Sequence, residues 1–145
     1  GFSQSMFGRF RIEGPDAEGT WLTRDLSLAV SYYAGYYPGY PGKQVLINSA
    51  IAGLEGEIFA ASFDSVYLYE EALGNLCDLE PSGTISLRDT AGTWYDLEFQ
   101  GASYWGGNVF PPVCEGCGQA YVQGTYVGEV CPDFSVLTSW ESRPW

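Results

Sequence analysis

Short runs rich in Val, Ile, Tyr, Phe, Trp and Thr fill this chain, and clusters of Gly, Pro, Asp and Ser interrupt them every few residues. In residues 93–100, Tyr95, Leu97 and Phe99 fall on one side of an extended strand and Trp94, Asp96 and Glu98 on the other. That period of two is the signature of a strand with one buried face. Nineteen glycines and eight prolines supply the punctuation between such runs. No segment carries a helical period; around residues 65–73, the best helical candidate, strand is still the better reading. Strands are expected at 6–12, 20–24, 26–33, 43–49, 57–63, 66–70, 84–89, 93–100, 119–122, 126–130 and 134–140. The expected fold is all-β, one domain over residues 1–145. Its architecture is a two-sheet antiparallel sandwich of jelly-roll or immunoglobulin-like type, stapled by disulfides. The inward set is Phe10, Ile12, Leu28, Val30, Val45, Ile47, Ile58, Val66, Leu68, Ile85, Leu87, Leu97, Phe99, Val122 and Leu137. The Cys-Trp-Cys spacing of antibody domains is absent.

Two hairpins can be taken to register. Ile85 and Leu87 must face the same core as Tyr95, Leu97 and Phe99. This sets Ile85 opposite Phe99, Leu87 opposite Leu97 and Arg88 opposite Asp96, around a loop centred on Gly92. In the second hairpin, Ala120, Val122, Tyr126 and Val130 share a face if Val122 lies opposite Tyr126. That register centres on Gly124 and brings Cys117 opposite Cys131, leaving Cys77 for Cys114. A two-residue Gln123-Gly124 turn, a common hairpin type, would offset it by one. The linkage Cys114–Cys117 with Cys77–Cys131 stays open.

Charge and residue usage narrow the function. Eighteen acids against six bases give a net charge of −12. Such a surface repels nucleic acid and anionic lipid. There is no apolar run long enough to span a membrane as a helix. The absence of histidine removes the commonest general base, the Ser-His and Cys-His nucleophile pairs and every His-ligated metal site. Four cysteines in a chain of this size read as two disulfides, Cys77, Cys114, Cys117 and Cys131 all being bridged. The protein then belongs outside the reducing cytoplasm, extracellular or in a cell envelope. The competing uses are a four-cysteine zinc site, which lacks a second CxxC knuckle, and a redox CxxC, which lacks a following helix.

The remaining candidates are binding residues. Tyr36, Tyr37 and Tyr40 sit in a Gly/Pro-rich loop, Trp105 precedes Gly106-Gly107, and Trp94 lies on the outer face of its strand. Exposed rings of this kind stack on sugars, although the same tyrosines can fold back to cap a core. Asp96 and Glu98 beside Trp94 form a generic carboxylate pair of the sort a glycosidase uses. No cofactor motif is present; calcium is the one ion the surplus acid suits, at Asp16 and Glu18 or at Asp78 and Glu80. The leading expectation is a non-enzymatic extracellular or cell-surface module that binds a glycan or protein partner. The alternative is a structural subunit of a surface layer or filament that pairs by its edges, using the apolar residues 1–12. A glycoside hydrolase comes third.

Overall fold

The computed structural model describes residues 2–36, 43–69, 80–100 and 116–135. Eight strands run in chain order: β1 (Phe2–Pro15), β2 (Trp21–Tyr36), β3 (Lys43–Ala52), β4 (Ile58–Tyr69), β5 (Ser82–Asp89), β6 (Trp94–Gln100), β7 (Gly118–Val122) and β8 (Thr125–Val130). They form one antiparallel sheet in the order β1-β2-β3-β4-β5-β6-β7-β8, each strand hydrogen-bonded to its neighbours in sequence. The all-β expectation holds. Where two sheets were expected, the described strands make one, and it does not close on itself. The connections after β1, β3, β5 and β7 are short, and consecutive antiparallel strands joined by tight turns pair with one another.

Two expected breaks are absent. Residues 20–24 and 26–33 are parts of one strand, β2, because Asp25 continues the ladder opposite Arg11 instead of ending it. The strands expected at 57–63 and 66–70 likewise merge: Ile58–Tyr69 is one strand, β4, which passes the interruption as a bulge between Asp64 and Tyr67. At that bulge Ser65 has φ +52°, and its N–H donates to Asn48 Oδ1 at 2.9 Å. Gly83 lies against it: a Cβ there would stand 2.4 Å from the Ser65 carbonyl oxygen. Glycine is thus required by close approach as well as by its φ of +98°.

One face of the sheet is mainly apolar, interrupted by Arg24 on β2 and Ser49 on β3. Alternation along β2 puts Leu26, Leu28, Val30, Tyr32 and Ala34 on it, and the pairings extend it through Ile47, Val66, Ile85, Leu97 and Ala120. Its buried part consists of Tyr32, Ala34, Val45, Ile47, Val66, Leu68, Ile85, Phe99 and Phe134. Phe134, in the segment after β8, closes on Phe99 edge to face at 5.3 Å between ring centroids. Six of the expected core residues are in this set. Leu28, Val30, Ile58, Leu87, Leu97 and Val122 are half-buried, and Leu137 lies outside the described residues. Phe10 and Ile12 are exposed, at 39% and 55%. They point to the apolar face as expected, but β1 is an edge strand and nothing among the described residues covers them.

The β5–β6 register differs from expectation by two residues. Ile85 lies opposite Leu97, Leu87 opposite Tyr95 and Arg88 opposite Trp94. Both registers keep every side chain on its expected face, so face polarity cannot choose between them. The turn chooses. Gly92 takes φ +92° and closes a three-residue loop, with the Asp89 N–H donating to the Thr93 carbonyl at 3.0 Å and the Gly92 N–H to the Asp89 carbonyl at 3.1 Å. The expected Arg88–Asp96 pair is therefore not made. Asp96 accepts the Ser86 hydroxyl, and Arg88 lies over the Phe59 ring at 5.9 Å.

In β7–β8 both registers weighed from the sequence occur. Gln123 (φ +47°) and Gly124 (φ +81°) form a two-residue turn, with Val122 opposite Thr125 and Tyr121 opposite Tyr126. A bulge then intervenes, and Ala120 pairs with Gly128 and Gly118 with Val130. The extra residue, Val127, restores the register that brings Cys117 to Cys131, and the two are bonded with S–S 1.98 Å.

Candidate partner-binding edge

The Cys117–Cys131 bridge excludes the Cys114–Cys117 linkage, a zinc site using all four thiolates and a redox pair of Cys114 with Cys117. Cys77 and Cys114 lie outside the described residues, as do Tyr37, Tyr40, Trp105 and Asp78. Tyr36 and Trp94 are exposed, at 65% and 42%, but they share no site. Tyr36 pairs with Lys43 at one end of the strands, and Trp94 pairs with Arg88 at the other end, four strands away. Glu98 is exposed beside Asp96, whose Oδ1 already holds the Ser86 hydroxyl.

The calcium candidates are engaged by the backbone. Asp16 Oδ1 accepts the N–H groups of Glu18 and Thr20 at 2.9 and 2.8 Å, which builds the β1–β2 turn. Glu80 Oε2 accepts the Gly116 N–H at 2.8 Å, tying the start of β5 to the start of β7. Among the described residues no group of three or more acids or cysteines converges as a metal-binding set. No helix among them is long and apolar enough to cross a membrane.

A hollow of about 700 Å³ opens on the apolar face near the β5–β6 turn, lined by Leu87, Leu97, Val122, Val127 and Val130, with Tyr95 and Asp89 at its polar side. Asp89 Oδ1 accepts the Thr93 N–H at 2.8 Å and Oδ2 the Tyr95 hydroxyl at 3.1 Å. The Thr93 N–H and then the Tyr95 hydroxyl hold the Asp89 carboxyl below the ordinary range; the hydrogen bond to Asp89, and then its charge, raises Tyr95. These groups satisfy one another, so the polar side of the hollow is committed to the turn.

The two edges of the sheet differ sharply. β8 is six residues long, carries the Val127 bulge and runs into Cys131-Pro132. Short length, a bulge and a following proline are the devices that blunt an edge against further pairing. β1 is more than twice as long, has no bulge and meets a proline only at its last residue, Pro15. Its fourteen residues pair with β2 from Phe2 opposite Ala34 to Pro15 opposite Trp21 without a register shift. No strand adjoins its other side among the described residues. Met6, Phe7, Phe10 and Ile12 are all exposed on it, Phe7 at 80%.

Alternation sets Met6, Gly8, Phe10 and Ile12 on the apolar face and Ser5, Phe7, Arg9 and Arg11 on the opposite one. Arg11 is held by Asp25 across the ladder, Nε to Oδ1 at 3.0 Å. This contact lowers the Asp25 carboxyl and raises Arg11. Residues 1–12 contain both arginines and no acid, in a chain of net charge −12. The apolar N-terminal run was evident in the sequence. That it forms the open edge follows only from strand order.

No protein-family model, no curated protein and no solved structure matches the chain.

Proposed function

We propose that this protein is a non-enzymatic module of an extracellular or cell-envelope compartment that binds a protein partner by strand addition along β1. The observation that carries the reading is the asymmetry of the edges: β8 is blunted, whereas β1 offers fourteen uninterrupted residues with four exposed large apolar side chains. An edge of this kind supplies affinity through main-chain hydrogen bonds and specificity through alternate side chains. The disulfide supports an oxidising compartment. A glycan platform built on Tyr36 and Trp94 together is disfavoured by their separation across the sheet.

The test is hydrogen exchange of the β1 amides, in protein dilute enough to be monomeric, with and without a synthetic strand peptide as long as β1, alternating valine and threonine and ended by glutamates. The peptide should slow exchange of those β1 amides that do not bond to β2. Protection of β8 alone, or of neither edge, would remove the reading.

A further inference from the structure

We infer that the partner of the β1 edge is the β1 edge of a second copy, in a closed antiparallel dimer whose two-fold axis passes through Gly8. The inference rests on the strand-addition reading and goes beyond it by naming occupant and register.

Three observations converge. The first is that, among the described residues, only one edge is open. Head-to-tail growth needs a receptive β8, and β8 is short, bulged and followed by Cys131-Pro132. A molecule with a single open edge can satisfy that edge with its own kind only isologously, which gives a closed pair and no filament.

The second is the face requirement. Directly opposed residues of an antiparallel pair point to the same side of the sheet. If the apolar face is to continue from one copy to the other, Met6, Gly8 and Phe10 must oppose members of the same set. This admits only registers centred on a residue and not between two.

The third is the side-chain pairing those registers produce. Centring on Arg9 sets Arg9 against Arg9 of the second copy, and centring on Phe10 sets Arg9 against Arg11 twice. Like charges directly opposed are destabilising. Centring on Phe7 avoids like charges but sets Met6 against Gly8, so no apolar side chain meets it. Centring on Gly8 avoids all three. Arg9, which makes no ion pair among the described residues, then opposes Phe7, a guanidinium against the most exposed aromatic ring of those described. Met6 opposes Phe10 on the apolar face, a thioether against a ring. Arg11 opposes Ser5 and keeps its own Asp25. Each contact occurs twice by symmetry, and Gly8 at the axis puts no side chain between the strands.

The test combines sedimentation velocity, hydrogen exchange and paired cysteines on the full chain. The parent should sediment as a dimer that dissociates on dilution, and its dimer fraction should rise with salt as the −12 charges are screened. The double variant Phe7→Cys/Arg9→Cys should cross-link to a dimer on a non-reducing gel, because each new thiol lies opposite the other's partner. Neither single variant should do so. Three results would overturn the inference. A monomer at every concentration with freely exchanging outward β1 amides removes the dimer and leaves the strand-addition reading to the peptide test. A monomer with all β1 amides protected removes both, since the chain then covers its own edge. Species that grow past the dimer replace the closed pair with head-to-tail assembly.

Discussion

Gly56 and Gly83 both adopt φ near +90°, at +88° and +98°, yet their surroundings differ completely. A Cβ on Gly56 would meet nothing within 4 Å, whereas one on Gly83 would stand 2.4 Å from the Ser65 oxygen and 2.7 Å from that of Asp64. Gly56→Ala should therefore cost only the backbone preference, about 1 kcal/mol. Gly83→Ala should cost at least twice that, since the clash is with backbone at a bulge and cannot be relieved by a rotamer change. Urea denaturation of the two variants compares them directly, and equal costs would mean the β4 bulge yields freely. Asp89 makes a separate prediction. Its folded pKa is lowered, chiefly by the Thr93 N–H. Its contribution is then fully present above the unfolded value of about 3.9 and is lost as pH falls through the lower folded value. The melting-temperature gap between parent and Asp89→Ala should be constant near neutrality and shrink only in acid. A gap that widened on acidification would contradict the assignment.

At the scale of elements, the β7–β8 hairpin shows how a bulge reconciles a turn with a disulfide. The tight Gln123-Gly124 turn sets one register, the ladder beside the bridge runs in another, and Val127 absorbs the difference. Deleting Val127 shifts Cys131 by one position and removes the bulge, so the tight turn alone would then oppose Cys117 to it. The deletion should retain the Cys117–Cys131 bridge, read by mass spectrometry of the unreduced protein; free thiols at those positions would show that the bulge does more than adjust register. In the β5–β6 hairpin, Leu97 packs against the core while Arg88 lies over Phe59 at the sheet's polar side. Leu97→Ala should cost about 2 kcal/mol or more. Arg88→Ala should cost under about 1 kcal/mol, the scale of an exposed cation–π contact. Thermal or chemical melts would show the ranking, and a reversal would mean that hairpin's faces are exchanged.

For the whole molecule, the net charge of −12 sets a background that no single contact offsets. Self-repulsion opposes the folded state, and salt screens it. Raising sodium chloride from about 10 mM to about 150 mM, which shortens the screening length from about 30 Å to about 8 Å, should raise the melting temperature at pH 7. Near the sequence pI of about 4.1 the same change should have little effect. A salt response equal at both pH values would assign the stabilisation to ion-specific effects instead. With no histidine in the chain, no side chain of ordinary pKa changes charge between about pH 6 and pH 8, so the pH 7 behaviour should extend across that interval.

The sequence by itself determined the all-β class and the face each strand presents. Both follow from a side-chain period of two, which local order alone dictates. The Cys117–Cys131 partnership was one of two linkages it allowed, and the bulge at Val127 decided between them. The sequence also marked residues 1–12 as apolar and free of acid. What it left open were features that parity does not see. A slip of two residues preserves every face, so the β5–β6 register depended on the geometry at Gly92. An apolar face needs a cover without naming one, so one sheet or two was not decided by pattern. Asp25 and Ser65 look like strand ends, and become strand interior only because Arg11 and Asn48 stand across from them. Edge status is the clearest case: Met6, Phe7, Phe10 and Ile12 would read the same in a central strand, and only the strand order leaves β1 without a second neighbour among the described residues.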